Sequence, residues 1–210
     1  MNSSPIVAVA SSAGDLEAVC ELLSALPAEC AATFIIVQHL DSGREKSLLE
    51  ALAGWTIRRP VVRAHDGAAI EREHVYVIGA NTTLTVDGAH LRVTANPKGQ
   101  HHPGDVLFSS LAKDHGDEAT GVVLSGEGSD GALGIRAIKR AGGTTFAQYP
   151  GSARFPGMPI SAIETGCVGL VLRTNELAHE LARRSGYTLT RQSSLLESSS
   201  TSFLRSPNAA

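Results

Sequence analysis

The sequence predicts an α/β fold: a doubly wound, mainly parallel sheet with flanking helices and an antiparallel β-hairpin extension. Three observations predict it. Short apolar runs of strand type at 6–10, 33–38, 121–124, 144–148 and 168–172 alternate with segments whose apolar residues recur at helical spacing. Strand-then-helix order, repeated with right-handed crossovers, gives a parallel sheet. Between the second and third of these runs, Asp87-Gly88 separates two β-type stretches, a strong short-range hairpin signal.

The elements follow in order. Residues 6–10 end in the small-residue turn Ser11-Ser12-Ala13-Gly14, after which Leu16, Val19, Cys20, Leu23 and Leu26 recur as one helical face and Pro27 stops the pattern. Residues 33–38 form a buried-type strand leading to His39. Ser42, with Glu45 three residues on, is a capping-box signature for a helix carrying Leu48, Leu49 and Leu52, ended at Gly54. The stretch 60–96, with β-type runs at 75–78, 83–86 and 91–94, reads as an antiparallel insertion. Asp105 is a helix cap by residue type, for a helix running to His115. The strand 121–124 then leads through SGEGSDG to a helix carrying Leu133, Ile135 and Ile138, stopped by Gly142-Gly143. After the last two strands, Thr174 caps a helix to Arg184. From residue 185 the chain is Ser-rich with scattered apolar residues, so the division is a domain at 1–184 and a flexible tail at 185–210.

Composition excludes several classes. Hydrophobic residues make up 42% and charged residues 19%, as in ordinary globular domains, and the net charge is -3. The 18 basic residues form no stripe, which speaks against nucleic-acid binding. No apolar segment approaches the roughly 20 residues that cross a bilayer, and the N-terminus lacks signal-peptide character, so no membrane insertion is expected. The three cysteines have no metal-ligand spacing; Cys20 reads as a buried thiol, and a reducing cytoplasm is the default compartment.

Three strand ends carry reactive side chains: Ser11 and Ser12, His39, and Asp130. In an open α/β sheet ligands bind outside the carboxyl ends of the strands, near a topological switch point. An alcohol nucleophile needs a base within reach, and the base needs a carboxylate to fix its tautomer. Each residue also has a plainer reading: the serines and Asp130 as helix caps, His39 as a packed histidine. Two other motifs compete. Residues 126–131 match G-x-G-x-x-G, but Glu127 and Asp130 put carboxylates where phosphates would sit, and Gln148-Tyr149 ends the next strand without an acid for a ribose. His101-His102 with Asp105 hints at metal binding, but no third ligand lies nearby in sequence, so neither metal nor cofactor is expected.

At these turns the sequence resembles the catalytic domain of CheB-type chemotaxis methylesterases. The resembling segments are VAVASSAGDLEAV (7–19), FIIVQHL (34–40), PGDVLFSSLA (103–112), TGVVLSGEGSDGALGIRAIKRAGG (120–143) and FPGMPISAIETG (155–166), which with the intervening order span nearly all of 5–184. The resemblance implies a serine hydrolase acting on methylated glutamates of chemoreceptor cytoplasmic helices, with glutamine deamidation as a related activity. It places the nucleophile on Ser12, the base on His39 and the orienting acid on Asp130. Ala13, Gly14, Gln38, Gly126, Glu127 and Met158 then fall beside the substrate or the oxyanion, with the Glu127 backbone N–H as one donor.

There are departures from the family pattern. Ala10, Ser11 and Asp15 stand in a first turn that usually reads like GASxGG. Glu127 replaces a commonly uncharged residue, and Tyr149 and Ile160 occupy positions expected to be polar or basic. The family's usual N-terminal receiver domain has no counterpart here, so control by a separate response regulator or signalling partner is expected, or constitutive activity. The two acids added near the site favour a rival reading, a catalytically impaired module that binds receptors or signalling partners. A serine-directed probe whose labelling depends on Ser12 and His39 separates the two.

Overall fold

A computed structural model describes residues 5–12, 16–39, 49–50, 52–78, 82–96 and 102–186. Seven strands form one sheet in the order β3-β4-β2-β1-β7-β8-β9, every neighbouring pair parallel: β1 (Ile6–Ser12), β2 (Thr33–His39), β3 (Val61–Arg63), β4 (Val75–Val77), β7 (Thr120–Val123), β8 (Thr144–Gln148) and β9 (Leu170–Leu172). The hairpin β5 (Thr82–Asp87) and β6 (His90–Ala95) is a separate two-stranded antiparallel sheet, turning at Asp87-Gly88 as the sequence indicates. The helices are α1 (Leu16–Ser24), α2 (Pro103–His115), α3 (Ala132–Arg140), α4 (Gly157–Glu164) and α5 (Thr174–Arg184).

The sheet divides the core in two, and the period-2 alternation of a strand sorts its side chains between the halves. Val7 and Val9 pack with Phe34, Ile36 and Phe146 under α1 and α5, while Ile6, Ala8 and Ala10 pack with Ile35, Val37, Phe108 and Ile135 under α2 and α3. Strands buried on both faces read as continuous apolar runs, which is why β1 and β2 were legible without alternation. Leu84, Val86 and Leu91 of the hairpin join the second half, covering that face beyond α2.

Several expectations need adjustment. The run at 75–78 is not part of an antiparallel insertion: β4 pairs in parallel with β2, and the three-residue β3 pairs in parallel with β4. Thr174 does not cap the last helix. Arg173 is its N-cap, with the Arg173 N–H donating to Glu176 at 2.8 Å, while the Thr174 hydroxyl donates to Glu21 at 2.8 Å. Leu133 lies on the open face of α3, 63% exposed, rather than in the core with Ile135 and Ile138. The Ser42 capping box lies outside the described residues, as do 187–210 of the Ser-rich tail; the described positions 49, 50, 52 and 53 are helical, with Leu52 in the core. Cys20 is a buried free thiol whose pKa is pushed up to about 11 by burial, with Glu17 and Glu21 adding to it. Among the described residues no helix is long and apolar enough to cross a membrane.

Candidate active site

The strand order reverses at β1, which has β2 on one side and β7 on the other, so its carboxyl end is the topological switch point. Ser12 is the last residue of β1. The parallel register places it opposite His39, the last residue of β2, and its backbone N–H donates to the Ser125 carbonyl just beyond β7 at 3.2 Å. Alternation puts Ser12 on the sheet face of Ala8 and Ala10. Ser11 falls on the other face, fully buried, and its hydroxyl has no hydrogen-bond partner among the described residues. Of the two adjacent alcohols, only Ser12 is partly open to solvent at the rim.

Gln38 braces this end of the strand. It is buried, its Nε2 donates to the Ser12 carbonyl at 3.1 Å, and its Oε1 has no partner among the described residues. From the other side Gly126 lies against Ser12. A Cβ at Gly126 would overlap Met158 Sδ and come within 2.8 Å of Ser12 Cβ. Gly126 is therefore packed closely against both Met158 and Ser12. Gly126→Ala should cost about 1–3 kcal/mol through overpacking. Introducing Met158→Ala into the same chain should recover part of that loss, which urea-unfolding midpoints of the two single variants and the double variant would measure.

Asp130 sits on the same face. Its neighbours Gly104 and Gly131 both abut Ala10, two residues before Ser12: a Cβ at Gly104 would stand 2.8 Å from Ala10 Cβ, and one at Gly131 3.5 Å. Gly131 also has a φ of 88°, in the left-handed region where a side chain is strained. The Asp130 carboxylate does not cap its own helix, α3. It caps α2, accepting the Gly104 N–H at 2.9 Å and the Asp105 N–H at 3.0 Å. Asp105 returns the arrangement: its carboxylate accepts the Gly134 N–H in the first turn of α3 at 2.8 Å. The first turn of each helix thus donates to an acid at the start of the other: Asp130, just before α3, accepts from α2, and Asp105, in the first turn of α2, accepts from α3.

Burial raises the Asp130 pKa above the ordinary carboxylate value. The Gly104 and Asp105 N–H bonds oppose that rise, the Asp105 charge adds to it, and His102 lowers it slightly. His102 Nδ1 stands 3.8 Å from Asp105 Oδ2 and 3.9 Å from Asp130 Oδ1.

Of the other residues expected at the site, Glu127 is exposed, whereas Ala13 and Gly14 lie outside the described residues, as do the side chain of His39, Asp15 and His101. The Gly126 N–H is already committed to the Phe155 carbonyl at 2.8 Å, while no described residue accepts the Glu127 N–H. Tyr149 and Ile160 are exposed, 45% and 40%. Sequence reasoning missed Ser125 and Gln148. Ser125 receives the Ser12 N–H, donates its own N–H to Gln148 Oε1 at 2.8 Å, and accepts the Phe155 N–H on its hydroxyl at 3.0 Å. Gln148 ends β8 on the same rim, and that position was the only available signal.

These features define an α/β protein of the open, doubly wound kind, with Ser12 at the carboxyl end of the central strand and Asp130 on the same sheet face. The chain belongs to the CheB methylesterase family, whose model matches residues 7–181. It is similar to protein-glutamate methylesterase/protein-glutamine glutaminase 1 of Caulobacter vibrioides, at 40% identity over 174 residues, covering 80% of this chain and 50% of the relative. The enzyme of that type from Bordetella parapertussis is 36% identical over 195 residues, 88% of this chain and 54% of the relative. The counterpart from Salmonella typhimurium is 33% identical over 187 residues, 86% and 53%. The chain thus spans about half the length of the curated relatives it matches. Its fold superimposes on the crystal structure of the Thermotoga maritima CheB methylesterase catalytic domain with a TM-score of 0.77 at 26% identity, covering 87% of this chain and 100% of that one.

Proposed function

We propose that this chain is a serine hydrolase that removes methyl esters from glutamate side chains, with Ser12 as nucleophile, His39 as base and Asp130 as orienting acid. Membership of the family supports the reaction class. The observation that carries the residue assignment is the placement of Ser12 at the switch point, opposite His39 in the register and on the same sheet face as Asp130. Ser12 Oγ attacks the ester carbonyl as His39 takes its proton. The negative oxygen that forms is met by backbone N–H groups, Glu127 among them. His39 then gives the proton to the departing methanol, and water, activated by the same imidazole, frees the glutamate. Glutamine deamidation follows the same path, with ammonia leaving. The substrates are methylated glutamates on the cytoplasmic helices of chemoreceptors, which places the chain in the cytoplasm.

The experiment is direct. Purified chain incubated with a methylated chemoreceptor fragment should release methanol and leave glutamate at the methylated positions, read by mass spectrometry of receptor peptides. A receptor fragment that stays fully methylated would defeat the proposal.

Asp105 makes the site's pH dependence testable. Its negative charge raises the proton affinity of Asp130, and a negative charge also raises that of an imidazolium nearby. Asp105→Asn removes the charge while retaining an amide oxygen for the Gly134 N–H. Removing that charge lowers the Asp130 pKa, so the limb of kcat/KM that follows Asp130 should move to lower pH. An unchanged or raised limb would contradict this electrostatic account.

A further inference from the structure

Two turns that sequence reasoning treated separately bring three donor groups together. His102 precedes α2, Asp105 lies in its first turn, and Asp130 reaches across from the segment before α3. One atom from each lies within 4.8 Å of the others, the only such grouping of His, Cys, Asp or Glu among the described residues. We propose that His102, Asp105 and Asp130 form a binding site for a divalent transition-metal ion, zinc being representative.

The donor set is the first argument. One imidazole nitrogen with two carboxylate oxygens suits zinc, cobalt or manganese, and leaves coordination positions for water. Geometry is the second. Donors around a tetrahedral zinc at about 2.0–2.1 Å are roughly 3.3–3.4 Å apart. His102 Nδ1 stands 3.8 and 3.9 Å from the two carboxylates, so each of these two separations needs a contraction of roughly half an ångström, and the carboxylate oxygens, within 4.8 Å of each other, draw together around the ion by up to about 1.5 Å. The His102 side chain is 52% exposed and free to supply that movement; it also leaves the ion an open approach.

Preorganisation is the third argument. The carboxylates of Asp105 and Asp130 are 12% and 5% exposed, and main-chain N–H groups of Gly104, Asp105 and Gly134 fix their orientation. Each oxygen so engaged keeps a second lone pair. Among the described residues no lysine or arginine pairs with either acid, and the half-exposed imidazole is their only ion-pair partner. A divalent cation would offset two like charges held side by side.

One consequence rests on the function proposed above: an ion at this site draws on the Asp130 lone pairs that would otherwise orient His39, so occupancy should inhibit ester hydrolysis reversibly. The test uses the full chain, stripped with a chelator and titrated with cobalt, followed by visible d–d absorption and, for zinc, by calorimetry. One equivalent should bind, and His102→Gln, checked for native folding by circular dichroism, should bind at least ~10-fold more weakly. No saturable binding at millimolar cobalt would overturn the site, and so would equal binding by the His102→Gln chain. Methanol release is then followed with and without zinc, each chain against its own metal-free rate. Binding through His102 without inhibition would keep the site and remove Asp130 from the orienting role. A metal-free chain with no esterase activity would count against the hydrolase reading, and the cobalt titration would still decide the site.

Discussion

Ser12→Ala should reduce methanol release from a methylated receptor fragment by about 10⁴-fold or more, while Ser11→Ala leaves it close to the wild-type rate. The contrast follows from where β1 puts the two alcohols. Ser12 faces the side of the sheet that holds Asp130 and is partly open at the rim, whereas Ser11 faces the opposite core with no partner among the described residues. The fold should not suffer in either case. The contacts that hold Ser12, from its N–H to Ser125 and from Gln38 to its carbonyl, are main-chain contacts that alanine keeps. Removing the Ser11 hydroxyl removes a buried polar group with no partner among the described residues, which should be neutral or stabilising by up to about 1 kcal/mol. Activity and urea midpoints measured on both variants test this together. Full activity in Ser12→Ala would exclude Ser12 as nucleophile.

Asp130→Ala should fail in two ways at once. Activity should fall by about 10⁴-fold, as when the acid of such a relay is lost. Stability should fall by about 2–4 kcal/mol, because the first turn of α2 loses the acceptor for two buried N–H groups. Asp130→Asn keeps one acceptor oxygen but turns an N–H₂ toward the other donor, so its stability loss should be smaller, about 1–2 kcal/mol, with activity equally lost. The sign of the pH dependence is set by burial. A carboxyl whose pKa is raised on folding holds its proton more tightly in the native state, so its contribution is most favourable below the ordinary carboxylate pKa and declines as pH rises through the raised one. The gap between wild type and Asp130→Asn should therefore narrow from acid to neutral pH. A gap that widened would contradict burial as the dominant influence on this acid.

Much of the fold was readable because strand and helix periods differ and because strands buried on both faces are conspicuous. β1, β2, β7 and β8, with the helices that follow β1 and β7, could be placed from their apolar spacing, and Asp87-Gly88 gave the hairpin. The edge of the sheet was harder. Val61–Arg63 is three residues long with partly exposed side chains, too short to carry a pattern, and without it β4 looked like part of the hairpin region. At the site, residue types were legible and partners were not. Asp105 and Asp130 looked like caps, and they are, but each serves the other's helix, a pairing that depends on two turns meeting across 25 residues of sequence. The same distance hid Asp130 from any search for a third ligand beside His102. Ser125 and Gln148 passed unnoticed because their roles are carried by main-chain groups and a side-chain amide, which leave no distinctive spacing.

The exchange of caps between α2 and α3 changes how related chains should be compared. An aspartate at position 130 would be retained even in a descendant that had given up hydrolysis, since losing it loosens a helix. Its presence is weak testimony about chemistry. Ser12 supports no other side chain through its hydroxyl among the described residues, so under the nucleophile role proposed for it drift is free to erase it once turnover no longer matters, and the alcohol, not the acid, is the position at which an active lineage can be told from a retired one.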